Sequence, residues 1–380
     1  MTASADHHTD PTRSSRDRVD LQARLTRWLT GRLGTGSDVH IGDITSPDGS
    51  GMSSETLLFD AAWTDDTGEH QQALVARVEP DADDVPIFPT YDLELQFAVM
   101  ELVGANSTVP VPVTRWYEPD PAALGAPFFV MDRVQGRVPS DIPPYLMEGW
   151  LLDATPAQQR SLQDQSVQLL AGLHGIDTTA HDTTFLESPA AGDSALARHV
   201  NNQRAYYDWT RGTRRHPIIE ATFDWLDTNW PADTGADVIG WGDSRIGNVM
   251  YEPDGFAPVA VFDWEMAALA PQEMDIGWMI FMHTFFQEIA DALEIPGMPG
   301  FMRRADVVAI YEAASGRPVR NLEWFEVYAA LRHGMIMTRV TERSVHFGES
   351  EWPDDIDTVI PHKHVLEAMI EGSWWDGAKR

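Results

Sequence analysis

The sequence predicts an α+β protein with two lobes, a small antiparallel β N-lobe with one inserted helix and a larger, mostly α-helical C-lobe. Its length of 380 residues suffices for two domains or one large two-lobed unit. Short strand-like runs fill the first third, and from about residue 150 the apolar spacing becomes that of long helices. The predicted boundaries are 1–18 for a disordered N-terminal arm, 19–134 for the N-lobe and 135–380 for the C-lobe.

The N-lobe elements follow from apolar spacing and turn residues. A helix is predicted from an N-cap at Asp20 to a glycine turn at residues 34–36, because apolar side chains recur three and four positions apart. A second, amphipathic helix is predicted at residues 91–103. Five strands are predicted at 39–44, 56–63, 72–78, 111–117 and 127–134. The run Asp65-Asp66-Thr67-Gly68 indicates a tight hairpin between the second and third of them.

The C-lobe is predicted to be helical except for one short hairpin. Its helices are predicted at 157–174, 195–209, 218–230, 274–293, 303–314, 321–341 and 363–371. The hairpin lies between Asn248 and Asp263, since two apolar runs flank the turn residues Pro253-Asp254-Gly255.

Lysine usage excludes one large class of enzyme and disfavours another. Only Lys363 and Lys379 are lysines among 27 basic residues, and both lie in the last 18 positions. A P-loop Gly-Lys-Ser/Thr is therefore absent, which excludes Walker-type NTPases. A Schiff-base lysine would have to come from the tail, which disfavours pyridoxal enzymes.

The net charge and the cysteine content limit the possible partners and the cellular location of the protein. With 59 acidic residues and a net charge of −32, most of the surface would repel nucleic acid and anionic membranes, so neither is expected as a partner. The chain has no cysteine and no apolar run of 18 residues, which favours a soluble, cytoplasmic protein. The sequence carries no signal for an oligomeric state.

Three polar side chains converge around the predicted C-lobe hairpin. Asn248 precedes its first strand and Asp263 follows its second, so the two lie side by side at one end. An amide oxygen and a carboxylate at that separation can share a hard cation, and a ligand set completed by phosphate and water suits Mg²⁺. Asp243 lies five residues upstream in the same loop, where a base orienting an acceptor hydroxyl is needed for phosphoryl transfer.

These residues carry a family resemblance. Gly242-Asp243-x-x-x-x-Asn248, followed by Asp263-Trp264-Glu265, resembles the aminoglycoside phosphotransferase and choline kinase-like family, which has the protein-kinase-like fold. The resemblance implies an ATP- and Mg²⁺-dependent kinase acting on a hydroxyl of a small molecule. It implies that Asp243 is the catalytic base and that Asn248 and Asp263 are the metal ligands. It also implies that Asp275 braces the catalytic loop.

The same resemblance assigns the nucleotide site of the N-lobe. A small-residue loop between two strands would lie over the phosphates, and Arg77 stands where kinases usually carry the phosphate-gripping lysine. Glu94 is favoured over Glu101 as the helix partner of Arg77. The full set of implied cofactor-binding residues is Ser50, Gly51, Ser53, Arg77, Glu94 and the hinge residues Asp132, Arg133 and Val134.

One departure from the family pattern bears on the acceptor. Trp241 replaces the histidine that many antibiotic kinases place two residues before the catalytic aspartate, and with Arg245 it resembles the branch found in kinase-like domains of bifunctional acyl-CoA dehydrogenases. The acceptor therefore stays open between an aminoglycoside, a choline-like amine and a hydroxyacyl thioester, as does ATP against GTP. A non-catalytic nucleotide-binding protein on the same fold is the other alternative. The apolar segment around Trp278 and Phe285 belongs either to the core or to the acceptor pocket.

Overall fold

A computed structural model describes residues 16–34, 38–47 and 54–376 of the chain. The described chain forms two compact units. The first comprises Met1–Leu93, Arg115–Arg133 and Val340–Trp352, and the second comprises Glu94–Thr114, Val134–Arg339 and Pro353–Arg380. This division does not test the lobe boundaries predicted from the sequence, which remain a prediction. The predicted arm at 1–18 lies outside the described residues except for its last three positions.

The first unit is built on a five-stranded sheet with the order β1-β2-β3-β5-β4. Its strands are β1 (His40–Ile41), β2 (Glu55–Asp65), β3 (Gly68–Val78), β4 (Thr114–Glu118) and β5 (Phe128–Asp132). The β2–β3 hairpin is in register from Glu55 opposite Val78 to Asp65 opposite Gly68. The Asp65 carboxylate accepts the Thr67 N–H at 2.8 Å, which closes the predicted turn.

One helix covers this sheet. Helix α1 (Arg18–Leu33) buries Leu21, Leu25 and Leu29 in one core cluster with the strand residues Leu57 and Phe128. The predicted N-cap was wrong by three residues. The Asp17 carboxylate, and not that of Asp20, accepts the free N–H groups of the first turn.

The second unit is mainly helical. Its helices of eight or more residues within the described chain are α2 (Leu93–Asn106), α3 (Pro156–His174), α4 (Ala195–Arg211), α5 (Pro217–Thr228), α6 (Glu273–Ala292), α7 (Arg304–Ser315), α8 (Leu322–His346) and α9 (Lys363–Glu371). The first residue of α2 and the end of α8 belong to the first unit. Each predicted helix is present, with ends shifted by at most five residues, and α9 begins and ends where it was predicted. The predicted α+β class is therefore confirmed.

Two short antiparallel ladders position the polar residues of the second unit. Strand β6 (Asp237–Gly240) pairs with β9 (Ala268–Pro271), and β7 (Val249–Tyr251) pairs with β8 (Pro258–Val261). The second ladder is the hairpin that the sequence predicts. The first was not predicted, and it carries the chain from Gly240 directly into the loop that contains Asp243. Over the described ranges, no helix is both long and apolar enough to cross a lipid bilayer.

Candidate active site

One buried carboxylate holds the loop from residue 241 to residue 248 in place. The two oxygens of Asp275, on the first turn of α6, accept the backbone N–H groups of Trp241 at 2.7 Å and Gly242 at 2.8 Å. The Ser244 hydroxyl donates to the Asp275 carbonyl oxygen at 2.7 Å. Gly242 has a φ of 89°, and a Cβ there would overlap the Met266 carbonyl, so only glycine fits. Asp275 thus fixes the backbone on both sides of the turn that presents Asp243.

A buried histidine supports this brace. His174, at the end of α3, has no exposed surface, and its Nε2 lies 3.0 Å from the Asp275 Oδ2. Because a carboxylate only accepts, Nε2 carries the proton here. The other ring nitrogen lies 2.8 Å from the Tyr311 hydroxyl on α7. His174 is therefore a packed residue that links α3 and α7 to the loop.

Three donors surround the carboxylate of Asp243, whose side chain is 15% exposed. The Trp278 indole N–H donates to Oδ1 at 2.7 Å, and the Asn248 amide donates to Oδ2 at 2.7 Å. The Arg245 Nε lies 3.1 Å from both oxygens. Each carboxylate oxygen therefore faces two donors, the Arg245 Nε being shared between them, and these contacts fix the orientation of the carboxylate.

Asn248 and Asp263 lie at one end of the β7–β8 hairpin. The Phe262 N–H donates to the Asn248 carbonyl oxygen at 3.2 Å, which joins the two strand ends directly. Asp263 has a φ of 64°, an uncommon conformation for a residue with a side chain. The Trp241 indole N–H holds this turn by donating to the carbonyl oxygens of Phe262 at 3.0 Å and Asp263 at 3.2 Å. Trp241 is therefore an anchor for the Asp263 turn.

Arg245 joins the loop to a second acidic residue. Its Nη1 pairs with the Asp141 carboxylate, while its Nε faces Asp243. Burial by itself would lower the pKa of Arg245, but the charges of Asp243 and Asp141 outweigh burial and raise that pKa. A narrow cavity beside this ion pair is lined mainly by apolar and aromatic side chains, among them Met279, Phe286 and Met302.

The predicted nucleotide-binding residues lie in different parts of the molecule. Ser50, Gly51 and Ser53 fall outside the described residues. In the first unit, Arg77 is buried on β3 and donates to the Thr56 hydroxyl at 3.2 Å. In the second unit, Glu94 is exposed on the first turn of α2. The pairing of Arg77 with Glu94 stays a prediction.

The hinge residues are partly engaged within the first unit. The backbone N–H of Arg133 donates to the Ala73 carbonyl oxygen at 2.9 Å, and its side chain pairs with Asp60. The Asp132 carboxylate forms a two-pronged ion pair with Arg115, at 2.6 and 2.7 Å. The amide of Arg133 is thus already used by the sheet. Hinge recognition of a base would draw on the remaining backbone groups of 132–134, and it stays a prediction.

Sequence reasoning missed three residues that contact the loop, namely Trp278, Asp141 and Arg332, whose Nη2 donates to the Gly242 carbonyl oxygen at 3.2 Å. Trp278 was placed in an apolar segment, although it follows Asp275 by three positions and so shares a helical face with it. That spacing was the available signal. Asp141 and Arg332 are 102 residues before and 89 residues after Asp243, and no local pattern connects them with the loop.

A comparison with protein families shows to which family the chain belongs. Residues 49–301 match the model described as the phosphotransferase enzyme family, APH. The match covers well over half of the chain. The chain belongs to this phosphotransferase family. Its predicted resemblance is therefore confirmed, and the Asp243 loop and the Asp263 turn both lie inside the matched region.

The curated relatives of this phosphotransferase chain are acyl-CoA dehydrogenase family proteins. The chain is 26% identical over 337 residues to the Arabidopsis thaliana protein named probable acyl-CoA dehydrogenase IBR3, with 85% of this chain and 39% of that protein covered. It is 24% identical over 367 residues to mouse acyl-CoA dehydrogenase family member 10, with 93% and 31% covered. The chain thus spans between about a third and two fifths of these relatives. The branch predicted from Trp241 and Arg245 is the one that these relatives represent.

Solved structures agree on the fold of the phosphotransferase chain. An aminoglycoside phosphotransferase-like protein from Ralstonia eutropha superposes with a TM-score of 0.64 at 21% identity, covering 93% of this chain and 98% of that one. The Plasmodium vivax ethanolamine kinase gives a TM-score of 0.55 at 11% identity, with 88% and 84% covered. At these identities the likeness shows the fold alone. The predicted two-lobed, protein-kinase-like class is confirmed.

Proposed function

We propose that the protein is an ATP- and Mg²⁺-dependent kinase that phosphorylates a hydroxyl of a small molecule. The observation that carries the proposal is the presentation of Asp243. Its carboxylate is fixed by three donors, its backbone is braced by Asp275, and its side chain is 15% exposed, which leaves room for an acceptor hydroxyl to approach. Family membership supports a phosphotransferase, and a base so placed is what phosphoryl transfer to an alcohol requires.

The residues near the hairpin fit a magnesium site. The Asn248 amide nitrogen donates to the Asp243 Oδ2 and carbonyl oxygen, so the opposite amide atom, Oδ1, is the one that could face a cation. Asp263 supplies a carboxylate from the joined strand end. These are hard oxygen donors of the kind that Mg²⁺ takes together with phosphate oxygens and water. A bound Mg²⁺-nucleotide would supply an electrophilic γ-phosphoryl group with its charge partly neutralised.

The chain's own residues would perform the remaining tasks. Asp243 would accept a hydrogen bond from the acceptor hydroxyl and take its proton as the phosphoryl group is transferred. Arg77 would grip nucleotide phosphates in place of a lysine, since an arginine can bind two oxygens at once. The loop at 50–53, Glu94 and the hinge at 132–134 would complete nucleotide binding.

The acceptor is proposed to be apolar in part, with a hydroxyacyl thioester as the second candidate beside an aminoglycoside or a choline-like amine. One observation favours it: the relatives at 26% and 24% identity are acyl-CoA dehydrogenase family proteins. The cavity beside Arg245 does not bear on the choice, because its volume of about 10 Å³ holds no more than a water-sized group.

The non-catalytic alternative is less well supported. A kinase-like protein that only binds nucleotide can lose its base or a metal ligand without penalty. Asp243, Asn248 and Asp263 are all present here, and a braced loop with two anchoring tryptophans holds them. A cytoplasmic location stays a prediction from composition.

An acceptor panel tests the proposed function. Purified protein is incubated with γ-labelled ATP and Mg²⁺ and, in separate reactions, kanamycin, choline, ethanolamine and a hydroxyacyl thioester. The proposal expects label on at least one alcohol, with Asp243→Asn as the inactive control. GTP replaces ATP in a parallel set. Absence of transfer to all acceptors, with nucleotide binding intact, would favour the non-catalytic alternative.

A further inference from the structure

We propose that Trp278 is a positioning residue that fixes the Asp243 carboxylate, and that Arg332 holds Trp278 in place for this task. The inference deepens the proposed function, on which it rests for the role of Asp243 as base. It assigns a purpose to two buried side chains that the proposed chemistry does not otherwise use.

The indole of Trp278 is the most buried of the three donors to Asp243. Trp278 is 2% exposed, and its N–H points at the Asp243 Oδ1 at 2.7 Å. Its helix, α6, carries the bracing Asp275 on its first turn, so the donor and the brace of the loop belong to one helix. By contrast, Arg245 lies farther from Asp243, at 3.1 Å, and divides its donors between Asp243 and Asp141.

Arg332 contacts both the indole and the loop. Its guanidinium carbon lies 4.6 Å from the centroid of the Trp278 ring, and its Nη2 donates to the Gly242 carbonyl oxygen at 3.2 Å. A cation over the face of an indole is attracted by the ring electrons, and it makes the ring N–H a stronger donor. Arg332 therefore holds Trp278 and the residue before Asp243 in one arrangement.

Burying the charged side chain of Arg332 costs free energy, which argues that this residue has a function. The side chain is 1% exposed, and burial lowers the pKa of its guanidinium. Its Nε has no hydrogen-bond partner among the described residues. Replacing such a group by an apolar side chain is often neutral or stabilising, so fold stability alone does not account for it.

Close packing of α6 on α8 makes the contact possible. Gly277, next to Trp278, has backbone atoms of Phe325 so near that a Cβ would meet them at 2.9 Å. The helices therefore approach at this point more closely than any larger residue would allow. Within the described part of the chain, Arg245 from the same loop and Arg332 from α8 are cationic groups that interact with Asp243.

A kinetic comparison tests the positioning role. Trp278→Phe keeps a buried ring but removes the N–H, so the carboxylate gains freedom to turn about its last torsion. We expect kcat to fall about tenfold or more, which corresponds to about 1.4 kcal/mol, with KM for ATP and for acceptor within about twofold. Trp324→Phe is the matched control, because Trp324 is equally buried and donates its indole N–H to the Leu226 carbonyl oxygen at 3.0 Å.

A spectroscopic measurement tests the same bond without turnover. In a ¹⁵N-tryptophan-labelled sample, the indole resonance of Trp278 is assigned by its loss in Trp278→Phe. Asp243→Asn removes the charged acceptor, and we expect that resonance to move upfield while the Trp324 resonance stays in place. We also expect Arg332→Lys to shift the Trp278 resonance and to lower kcat, since an ammonium cannot stack as a planar guanidinium does.

The outcomes separate this inference from the proposed function. Equal kcat in Trp278→Phe and Trp324→Phe overturns the positioning role while the kinase stands. A Trp278 resonance that ignores Asp243→Asn overturns the bond itself, whatever the activity. Wild-type protein that transfers no phosphate to any acceptor overturns the proposed function, and with it the catalytic meaning of the bond.

Discussion

Replacing Asp275 by asparagine removes the brace of the candidate catalytic loop with almost no change in side-chain volume. The carboxylate accepts two backbone N–H groups at 2.7 and 2.8 Å and faces His174 Nε2 at 3.0 Å, all in a fully buried setting. An amide has only one acceptor oxygen. In either orientation its NH₂ group therefore faces at least one backbone N–H that then has no acceptor.

The size of the effect follows from that geometry. A buried donor left without a partner costs about 1–3 kcal/mol, and the lost charge on the acceptor weakens the bonds that remain. We therefore expect Asp275→Asn to lower the free energy of unfolding by about 2–4 kcal/mol. The matched control is Asp227→Asn, because Asp227 is 57% exposed and pairs with Arg204 on the surface. That change should stay within about 0.5 kcal/mol of wild type.

Urea denaturation followed by tryptophan fluorescence measures both variants. The chain has 14 tryptophans, among them Trp241 beside the brace, so their combined emission reports global unfolding. A midpoint for Asp275→Asn that matches that of Asp227→Asn would refute the claim that this carboxylate holds the loop.

Three further predictions concern the metal, the phosphate grip and pH. Asp263→Ala should abolish the thermal stabilisation by Mg·ATP, which is worth about 2.7 kcal/mol when the Mg·ATP concentration is a hundred times Kd. Asp254→Ala, in the exposed turn, should retain this stabilisation. Equal stabilisation of the two variants would contradict the assignment of Asp263 as a metal ligand. Arg77→Ala should raise KM for ATP about tenfold, measured against the surface control Arg24→Ala, and an unchanged KM would remove Arg77 from the nucleotide site. Burial lowers the pKa of His283 and of His362 from 6.5 to about 4, so at pH values between these the unfolded chain binds protons that the folded chain does not bind. The free energy of unfolding should therefore have its full value above about pH 6.5 and fall as the pH drops toward 4, by up to about 1.4 kcal/mol per pH unit for each histidine. His362→Gln should flatten this slope in urea titrations from pH 4.5 to 7.5, and an unchanged slope would contradict the assignment.

Local patterns predicted the elements well where the signal lies within one short stretch. The β2–β3 hairpin and the β7–β8 hairpin each carry their own turn residues, and both are present. The β6–β9 ladder was missed because each strand has four residues and the partners are separated by about 30 positions. Nothing in such a short apolar run distinguishes a strand from a buried loop.

The site could be predicted only as far as its chemistry lies on one loop and one hairpin. Asp243, Asn248 and Asp263 were found because they are close in sequence and because their residue types are those of a hard-cation site. Trp278 was predicted to lie in the core or in the acceptor pocket, since aromatic side chains at helical spacing usually pack, and no local pattern singled out Arg332. Their contact with the loop depends on the packing of α6 against α8, which is a tertiary property.

The most direct test of the central claim is the turnover of Asp243→Asn in ATP-dependent phosphorylation of whichever acceptor the panel identifies. The account predicts a loss of kcat of about 10²- to 10⁴-fold, as expected for removal of a base, with stabilisation by Mg·ATP retained. Asp254→Asn, in the exposed hairpin turn, should turn over like wild type. Wild-type turnover by Asp243→Asn would contradict the account.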